Sequence, residues 1–283
     1  MTELRQDKIN KVVTVPKPRV LEIADRPFPK LRPGSGSVIV KIEISALCVD
    51  DKMWTDHDHE WFSHPIYGMR HEAVGTVEEA GTSMKLKAGD RVLISHGGYC
   101  GRCYSCANLL CQAMCTNIAG GEVGTSSAPP KFFIDGLAPI ERKNDSKSGW
   151  AALAQYQLAD EGVCTVLPDD LDFKYAIAAE CSVGMAYCAQ EFLKVKPGDY
   201  LMLLGSGQRQ FSLSHVIVGH IRGARVNSVV QDDYQAEREQ AIGEARGGTP
   251  DHHIVDMNSP DWKDKVLSLT DGNGPEKAAD FTS

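Results

Sequence analysis

Three evenly spaced cysteines, Cys100, Cys103 and Cys106, constrain the fold of this chain more than any other feature of the sequence. Two residues separate each cysteine from the next, which allows successive thiolates to turn toward one metal ion. Gly101 tolerates the unusual backbone angles that such a turn requires. The spacing therefore predicts a zinc-binding turn.

A fourth thiolate would complete the tetrahedron that structural zinc prefers. Cys115 is the predicted fourth ligand and Cys111 is the alternative, within a structural zinc lobe around residues 96–116. Buried thiols without metal are a weaker interpretation, because this spacing is typical of zinc sites. A zinc ribbon that reads nucleic acid is disfavoured, since the flanking residues are not basic.

Composition indicates a globular protein of one large or two ordinary domains. The 283 residues carry a formal net charge of -8, which disfavours nucleic acid and anionic membranes as partners. The nine cysteines are odd in number and five of them fall between Cys100 and Cys115, so metal binding is favoured over a disulfide framework. With no long apolar run at the N-terminus or elsewhere, we expect a cytoplasmic protein.

The first half of the chain is predicted to be an antiparallel β domain. Short segments rich in β-branched residues are bounded by Pro, Gly or Asp, as is typical of strands. We predict strands at Lys11–Val15, Val38–Ile44, Ala73–Ala80 and Arg91–Ser95. This domain is assigned residues 1–165, with a linker near Leu153–Asp172.

The second half, residues 166–283, is predicted to be a parallel α/β domain, because strand and helix patterns alternate there. Predicted strands are Tyr200–Leu204, Ala224–Val230 and His253–Val255. Predicted helices are Tyr175–Leu193, Gln208–Arg222, Tyr234–Ala245 and Trp262–Leu269.

A glycine-containing loop joins the strand Tyr200–Leu204 to the following helix, which is the setting of a dinucleotide-binding turn. Gly205 permits the tight turn, and Gly207 lets the backbone approach a pyrophosphate at the helix N-terminus. Gln210 stands where a third glycine is usual, and its side chain is expected to crowd the helix against its strand. The predicted cofactor-binding residues of this loop are Gly205, Ser206, Gly207 and Gln208.

An acidic residue follows the next predicted strand. Asp232 lies where a ribose hydroxyl pair would bind, and an acid there favours NAD over NADP. Asp232 and Asp233 can equally cap the helix that begins near Tyr234. Three arginines complicate the preference for NAD: Arg222, Arg225 and Arg238.

A second metal site is predicted from residues dispersed in the sequence. Cys48 follows one predicted strand, and His71 with Glu72 precedes another, so both lie at strand ends where ligands can converge. A catalytic zinc needs about three protein ligands and an open position. Cys181 is the candidate third donor, and Glu180 is the alternative.

The order of these features resembles the zinc-dependent medium-chain alcohol dehydrogenase family, which includes alcohol, polyol and threonine dehydrogenases. The similarity covers nearly the whole chain and ends before the last strands that the family has. It rests on Cys48-Val-Asp-Asp51, His71-Glu72-Ala-Val-Gly75, Gly89-Asp90-Arg91-Val92, the cysteine lobe, Cys181 and the glycine loop.

The resemblance implies a GroES-like catalytic domain followed by a Rossmann domain that is incomplete at its C-terminus. It also implies a catalytic zinc on Cys48, His71 and Cys181, with Glu72 and Asp51 as carboxylates that orient the ligands. Zinc would lower the pKa of a substrate alcohol so that hydride can pass to the nicotinamide. Asp50 stands where relatives commonly relay a proton.

The predicted function is therefore hydride transfer between an alcohol or polyol and NAD, with NADP possible, by a homodimer or homotetramer with catalytic and structural zinc. Two alternatives remain open at this point. One is a non-catalytic zinc-binding member or fragment of the same fold that acts in binding or assembly. The other is an NADP-dependent carbonyl reductase without catalytic zinc.

Overall fold

The computed structural model describes residues 8–31, 36–48, 52, 72–83, 85–95, 152–245, 248 and 251–282. It divides the chain into two compact units, Met1–Ile177 and Ala178–Ser283. The domain boundary at residues 165 and 166 stays a prediction. No helix in the described parts of the chain is long and apolar enough to cross a membrane.

The first unit contains antiparallel sheets. Its strands are β1 (Ile9–Lys17), β2 (Val20–Pro27), β3 (Ser37–Ser45), β4 (Ala73–Ala80), β5 (Arg91–Ile94), β6 (Tyr156–Asp160) and β7 (Cys164–Val166). Strands β1 and β2 form a two-stranded sheet, and the other five form a sheet in the order β6-β3-β4-β5-β7. Every neighbouring pair in these sheets is antiparallel, as predicted.

The core of the five-stranded sheet explains why its strands form. Alternating and continuous β-branched residues bury one face against the interior, as in a half-buried strand. Buried members of this core include Val38, Val40, Val77, Val92 and Ile94. By contrast, β2 is largely exposed and has only a weak apolar pattern. It forms through its pairing with β1.

The second unit contains a parallel sheet. Its strands are β8 (Tyr200–Leu204), β9 (Arg225–Val230), β10 (His252–Asp256) and β11 (Lys277–Asp280), in the order β10-β9-β8-β11. All three pairings are parallel. The chain steps outward from β8 to β10 and then crosses to the other side of β8. The strand order thus reverses at β8, and ligands of such sheets bind beyond the carboxyl ends of strands at this point.

The helices in the described part of the chain are α1 (Phe173–Ala176), α2 (Val183–Phe192), α3 (Gln210–Ile221), α4 (Asp233–Ala245) and α5 (Trp262–Leu269). Three of them match the predictions to within two residues. The predicted combination of an antiparallel β domain with a Rossmann-type α/β domain is confirmed.

The single helix predicted over Tyr175–Leu193 is wrong. After α1 the chain makes a 3-10 turn, Ile177–Ala179, and α2 starts only at Val183. A Cβ on Gly184 would lie 2.5 Å from the carbonyl oxygen of Ala179, an approach that only glycine allows. The break leaves residues 180–182 in a turn between the two helices.

Candidate functional site

Cys48 and Glu72 lie at the same edge of the antiparallel sheet. Register places Ser45 of β3 opposite Ala73 of β4, so the residue stretches just after β3 and just before β4 run side by side. The carbonyl oxygen of Glu72 accepts hydrogen bonds from the backbone N–H of Ala46 at 3.3 Å and from the Ser45 hydroxyl at 3.0 Å. These bonds hold Glu72 against the end of β3. Glu72 is only 6% exposed there.

Cys181 lies in the turn between α1 and α2 and is half-buried. The Ser182 hydroxyl donates to the carbonyl oxygen of Ala178 at 2.9 Å, which stabilises this turn. A potential ligand atom of Cys48 and one of Glu72 lie within 4.8 Å of each other. Cys181 belongs to the second unit, and its role as third donor, with Glu180 as the alternative, stays a prediction.

The donor chemistry of Cys48 and Glu72 fits zinc. A sulfur atom and a carboxylate oxygen are ligands that zinc accepts, at about 2.3 Å for sulfur and about 2.0–2.2 Å for oxygen. Donors around one tetrahedral ion then lie within about 4 Å of each other. The resemblance assigned Glu72 to the carboxylates that orient the ligands, whereas one of its carboxylate oxygens lies within 4.8 Å of the Cys48 sulfur itself.

Several predicted site residues lie outside the described residues. They are His71, Asp50, Asp51, and the lobe cysteines Cys100, Cys103, Cys106, Cys111 and Cys115. Their roles therefore stay predictions.

The glycine loop follows β8, at the point where the strand order reverses. Gly205 and Gly207 both have positive φ, +68° and +86°, in the region that favours glycine. A Cβ on Gly205 would lie 3.1 Å from the backbone of Phe281, just beyond β11. Glycine is therefore required at this turn, because of the backbone angles of Gly205 and because the backbone of Phe281 lies close by.

Gly207 has a packing role that the sequence did not indicate. A Cβ there would lie 2.6 Å from the carbonyl oxygen of Gln235 in α4, so glycine makes room for that helix. Gln210 does not crowd the helix against its strand as expected, because it is exposed in the first turn of α3. The close approach of α3 to the sheet is made instead by Gly219, where a Cβ would lie about 3.0 Å from Val226.

Asp232 caps α4. Its Oδ1 accepts the backbone N–H of Gln235 at 2.8 Å, which satisfies a donor at the start of the helix. The residue is exposed beyond the carboxyl end of β9. The cap uses one carboxylate oxygen, so capping and contact with a ribose are compatible at this residue.

The three arginines that complicate the cofactor preference are all engaged elsewhere. Arg222 donates to Glu191 at 2.7 Å, and Arg225 donates to the hydroxyl of Tyr200 at 2.5 Å. Both lie at the amino end of β9, whereas Asp232 follows its carboxyl end. On α4, Arg238 donates to the backbone carbonyls of the glycine loop.

Comparisons with known proteins show similarity to alcohol dehydrogenases in both regions. The alcohol dehydrogenase GroES-like domain matches residues 34–169. The alcohol dehydrogenase of Rhizobium meliloti is 27% identical over 259 residues, which cover 90% of this chain and 65% of that protein.

Two further curated relatives match smaller parts. A probable D-xylulose reductase of Arthroderma otae is 28% identical over 66% of this chain and 46% of its own length. An uncharacterized zinc-type alcohol dehydrogenase-like protein of Bacillus subtilis is 34% identical over 70% of this chain and 50% of its own length. The chain thus spans about half to two thirds of the length of these relatives.

Solved structures support the fold. A zinc-dependent alcohol dehydrogenase from Streptococcus pneumoniae has a TM-score of 0.67 at 23% identity and covers 96% of this chain and 69% of its own. An Escherichia coli alcohol dehydrogenase solved with NADH has a TM-score of 0.70 at 19% identity, over 97% of this chain and 70% of its own. At these identities the likeness concerns the fold alone.

Proposed function

Because the chain belongs to the zinc-type medium-chain alcohol dehydrogenases and is related to oxidoreductases, we propose that it transfers hydride between an alcohol or polyol and NAD. The observation that carries this proposal is the placement of Cys48 close to the buried Glu72 at one edge of the antiparallel sheet. With His71 and Cys181 as the further proposed donors, the three ligands would leave a fourth coordination position for substrate, as catalytic zinc requires. Cytoplasmic location and a homodimeric or homotetrameric state are part of the proposal.

The metal site would be formed by Cys48 and Cys181, with His71 as the further predicted ligand. Zinc, when bound, supplies Lewis acidity that polarises the oxygen of a substrate alcohol or carbonyl. Glu72, buried close to the Cys48 thiol, either binds the metal or orients its ligands and adjusts the local charge. Asp51 would also orient ligands. Asp50 would accept or relay the proton of the alcohol.

The cofactor would bind at the carboxyl end of β8. The nicotinamide cofactor supplies the hydride acceptor. Ser206, Gly207 and Gln208 would contact its pyrophosphate through their backbone, whereas the N–H of Gly205 donates to the carbonyl oxygen of Val229 at 2.7 Å, so Gly205 shapes the turn. The N-terminus of the 12-residue helix α3 lies at the same point. Arg209, exposed at the start of α3, adds positive charge where phosphate would lie.

NAD is the proposed cofactor in preference to NADP. Asp232 presents a negative charge where the extra phosphate of NADP would bind, and like charges repel. Arg222 and Arg225 lie at the opposite end of β9, so they do not neutralise this charge. Arg238 is engaged by backbone carbonyls of the loop.

The test is oxidation of a panel of secondary alcohols, polyols and amino alcohols with NAD and with NADP, before and after treatment with a strong chelator. The proposal predicts NAD-dependent turnover that the chelator removes and added zinc restores. NADP-dependent carbonyl reduction that survives the chelator would support a reductase without catalytic zinc. Zinc and nucleotide binding without turnover of any substrate would support a binding or assembly role.

A matched variant pair makes this test specific to the proposed site. Cys48→Ala should abolish turnover, because it removes a metal ligand. Cys188→Ala should leave turnover unchanged, because Cys188 is an exposed cysteine on α2 outside the donor group. Equal loss in both variants would indicate general thiol sensitivity and would contradict the assignment of Cys48.

A further inference from the structure

A buried carboxylate on α4 contacts the glycine loop from beneath. Glu239 is 0% exposed. Its Oε1 accepts the hydroxyl of Ser206, and its Oε2 accepts the hydroxyl of Ser228 at 3.0 Å. Nε2 of His252 lies 3.2 Å from the same Oε2. One side chain thus joins the loop after β8 to strands β9 and β10.

Such a carboxylate is costly to bury unless its oxygens are hydrogen-bonded or paired with charge. Here both oxygens have partners, and those partners come from three different elements of the parallel unit. The arrangement therefore stabilises a particular position of the loop relative to the strands, in addition to any contribution to the core.

The Ser206 hydroxyl is directed away from any ligand. A serine hydroxyl has one proton to donate, and Ser206 gives it to Glu239 while being completely buried. Its side chain is therefore not a donor to phosphate. The part of Ser206 that remains for a ligand is its backbone.

Two neighbouring contacts from α4 act on the next residues of the loop. Nη1 of Arg238 donates to the carbonyl oxygens of Gly207 at 2.9 Å and Gln208 at 3.1 Å. Gly207 packs directly on the backbone of Gln235. The carbonyls of the loop are thus turned toward α4, which is the orientation that leaves backbone N–H groups for an anion.

We propose that Glu239 is a positioning residue for the nucleotide: it holds the Gly205–Gln208 loop in its binding conformation through Ser206 without touching the cofactor. This inference rests on the proposed function, since that function requires a dinucleotide at the loop. Glu239 is a buried residue of α4 and is not part of the glycine motif.

The experiment compares four variants of the full chain: Ser206→Ala, Glu239→Gln, the double variant that combines these two changes, and the control Ser228→Ala. The two serine variants remove one hydroxyl each from the same carboxylate, but only Ser206 belongs to the loop. Affinity for NADH and for NADPH is measured by calorimetry, and thermal stability is measured in parallel.

We expect Ser206→Ala and Glu239→Gln each to weaken NADH binding about tenfold, the size of one lost hydrogen bond to a charged group. The double variant should lose little more than either single variant, because both remove the same interaction. Ser228→Ala should lower thermal stability while keeping the NADH Kd within about twofold of the wild type.

Unchanged NADH affinity in Ser206→Ala, or an equal loss of affinity in Ser228→Ala, would overturn the proposal. If Glu239→Gln does not fold, the serine pair still decides between these outcomes. If the wild type binds neither nucleotide, the proposed function fails separately, and amide hydrogen exchange of residues 205–208 tests the positioning role. Faster exchange in Ser206→Ala and not in Ser228→Ala would support it, whereas equal exchange would overturn it.

Discussion

The edge of the antiparallel sheet and the carboxyl edge of the parallel sheet assemble their candidate sites in different ways. At the first, Cys48 and Glu72 are brought together by strand pairing, although residues 49–71 separate them in the sequence. At the second, residues Gly205 to Gln208 are consecutive, and the side chains that support them, Glu239 and Arg238, are distant in the sequence. A dispersed site depends on register, whereas a contiguous loop depends on the helix packed against it.

The largest effect should come from disturbing that packing. Gly207→Ala places a methyl group 2.6 Å from the Gln235 carbonyl oxygen and strains a backbone with φ of +86°. We expect a loss of about 3 kcal/mol in the free energy of unfolding, together with loss of nucleotide binding. Chemical denaturation of the full chain measures the first effect and calorimetry with NADH the second.

Gly198→Ala is the matched control for this prediction. Gly198 has nearly the same φ, +87°, but nothing lies within 4 Å of the position that a Cβ would take. It should cost only the backbone strain, about 1 kcal/mol. Equal destabilisation by the two variants would mean that the contact with α4 contributes nothing to the loop.

The next largest effect is expected at the dispersed site. Glu72→Gln removes a negative charge close to Cys48 and should reduce zinc affinity about 10- to 100-fold. Glu78→Gln on strand β4 removes a half-buried pair with Lys8, at 3.4 Å, and should leave zinc affinity unchanged. Competition with a chromophoric zinc chelator measures both variants, and similar affinities would remove Glu72 from the metal site.

A smaller effect should separate the two roles of Asp232. Asp232→Ala removes the cap of α4 and should cost about 1 kcal/mol of stability, in addition to weakening NAD binding. Asp232→Ser keeps a capping oxygen without the charge, so it should restore most of the stability while still reducing the preference for NAD over NADP. If Asp232→Ser binds both nucleotides like the wild type, Asp232 is a cap alone.

The smallest effect concerns pH. Burial among aromatic side chains lowers the pKa of His215 from 6.5 to about 4, and its ring lies 4.9 Å from that of Phe281. The unfolded chain therefore binds a proton between these pH values and the folded chain does not. This residue should make the parallel unit less stable as pH falls from about 6.5 to about 4.

His215→Phe should reduce the fall in the free energy of unfolding between about pH 6.5 and about pH 4. His253→Phe on β10 should leave this fall unchanged. Urea denaturation at pH 7 and pH 5 provides the comparison. The same pH dependence in wild type and His215→Phe would contradict the neutral, buried state of this imidazole.

The contrast between the two regions also explains how much the sequence could predict. Strands such as Ala73–Ala80 and Tyr200–Leu204 were predicted at the bounds that the structure has, because their burial follows from local patterns of apolar residues. Strand β11, Lys277–Asp280, has little apolar pattern and forms through pairing with β8, so it was missed. The turn at Cys181 was missed because an alanine-rich segment favours a continuous helix.

The site shows the same limit. Cys48 was predicted as a ligand and Glu72 as a carboxylate that orients the ligands, and strand register places both at one edge of the sheet. The ligand set of Cys48, His71 and Cys181 stays a prediction. Glu239 was not predicted, because a glutamate in a polar helix is usually exposed. Only the convergence of Ser206, Ser228 and His252 identifies it, and these residues are distant in the sequence.

The most direct test of the central claim is the zinc content per chain, measured by elemental analysis of purified wild type, Cys48→Ala, Cys181→Ala and Cys188→Ala. The account predicts about two zinc ions per chain in the wild type and in Cys188→Ala, and about one in each of the other two variants. A single zinc that neither Cys48→Ala nor Cys181→Ala removes would contradict a catalytic metal at this site.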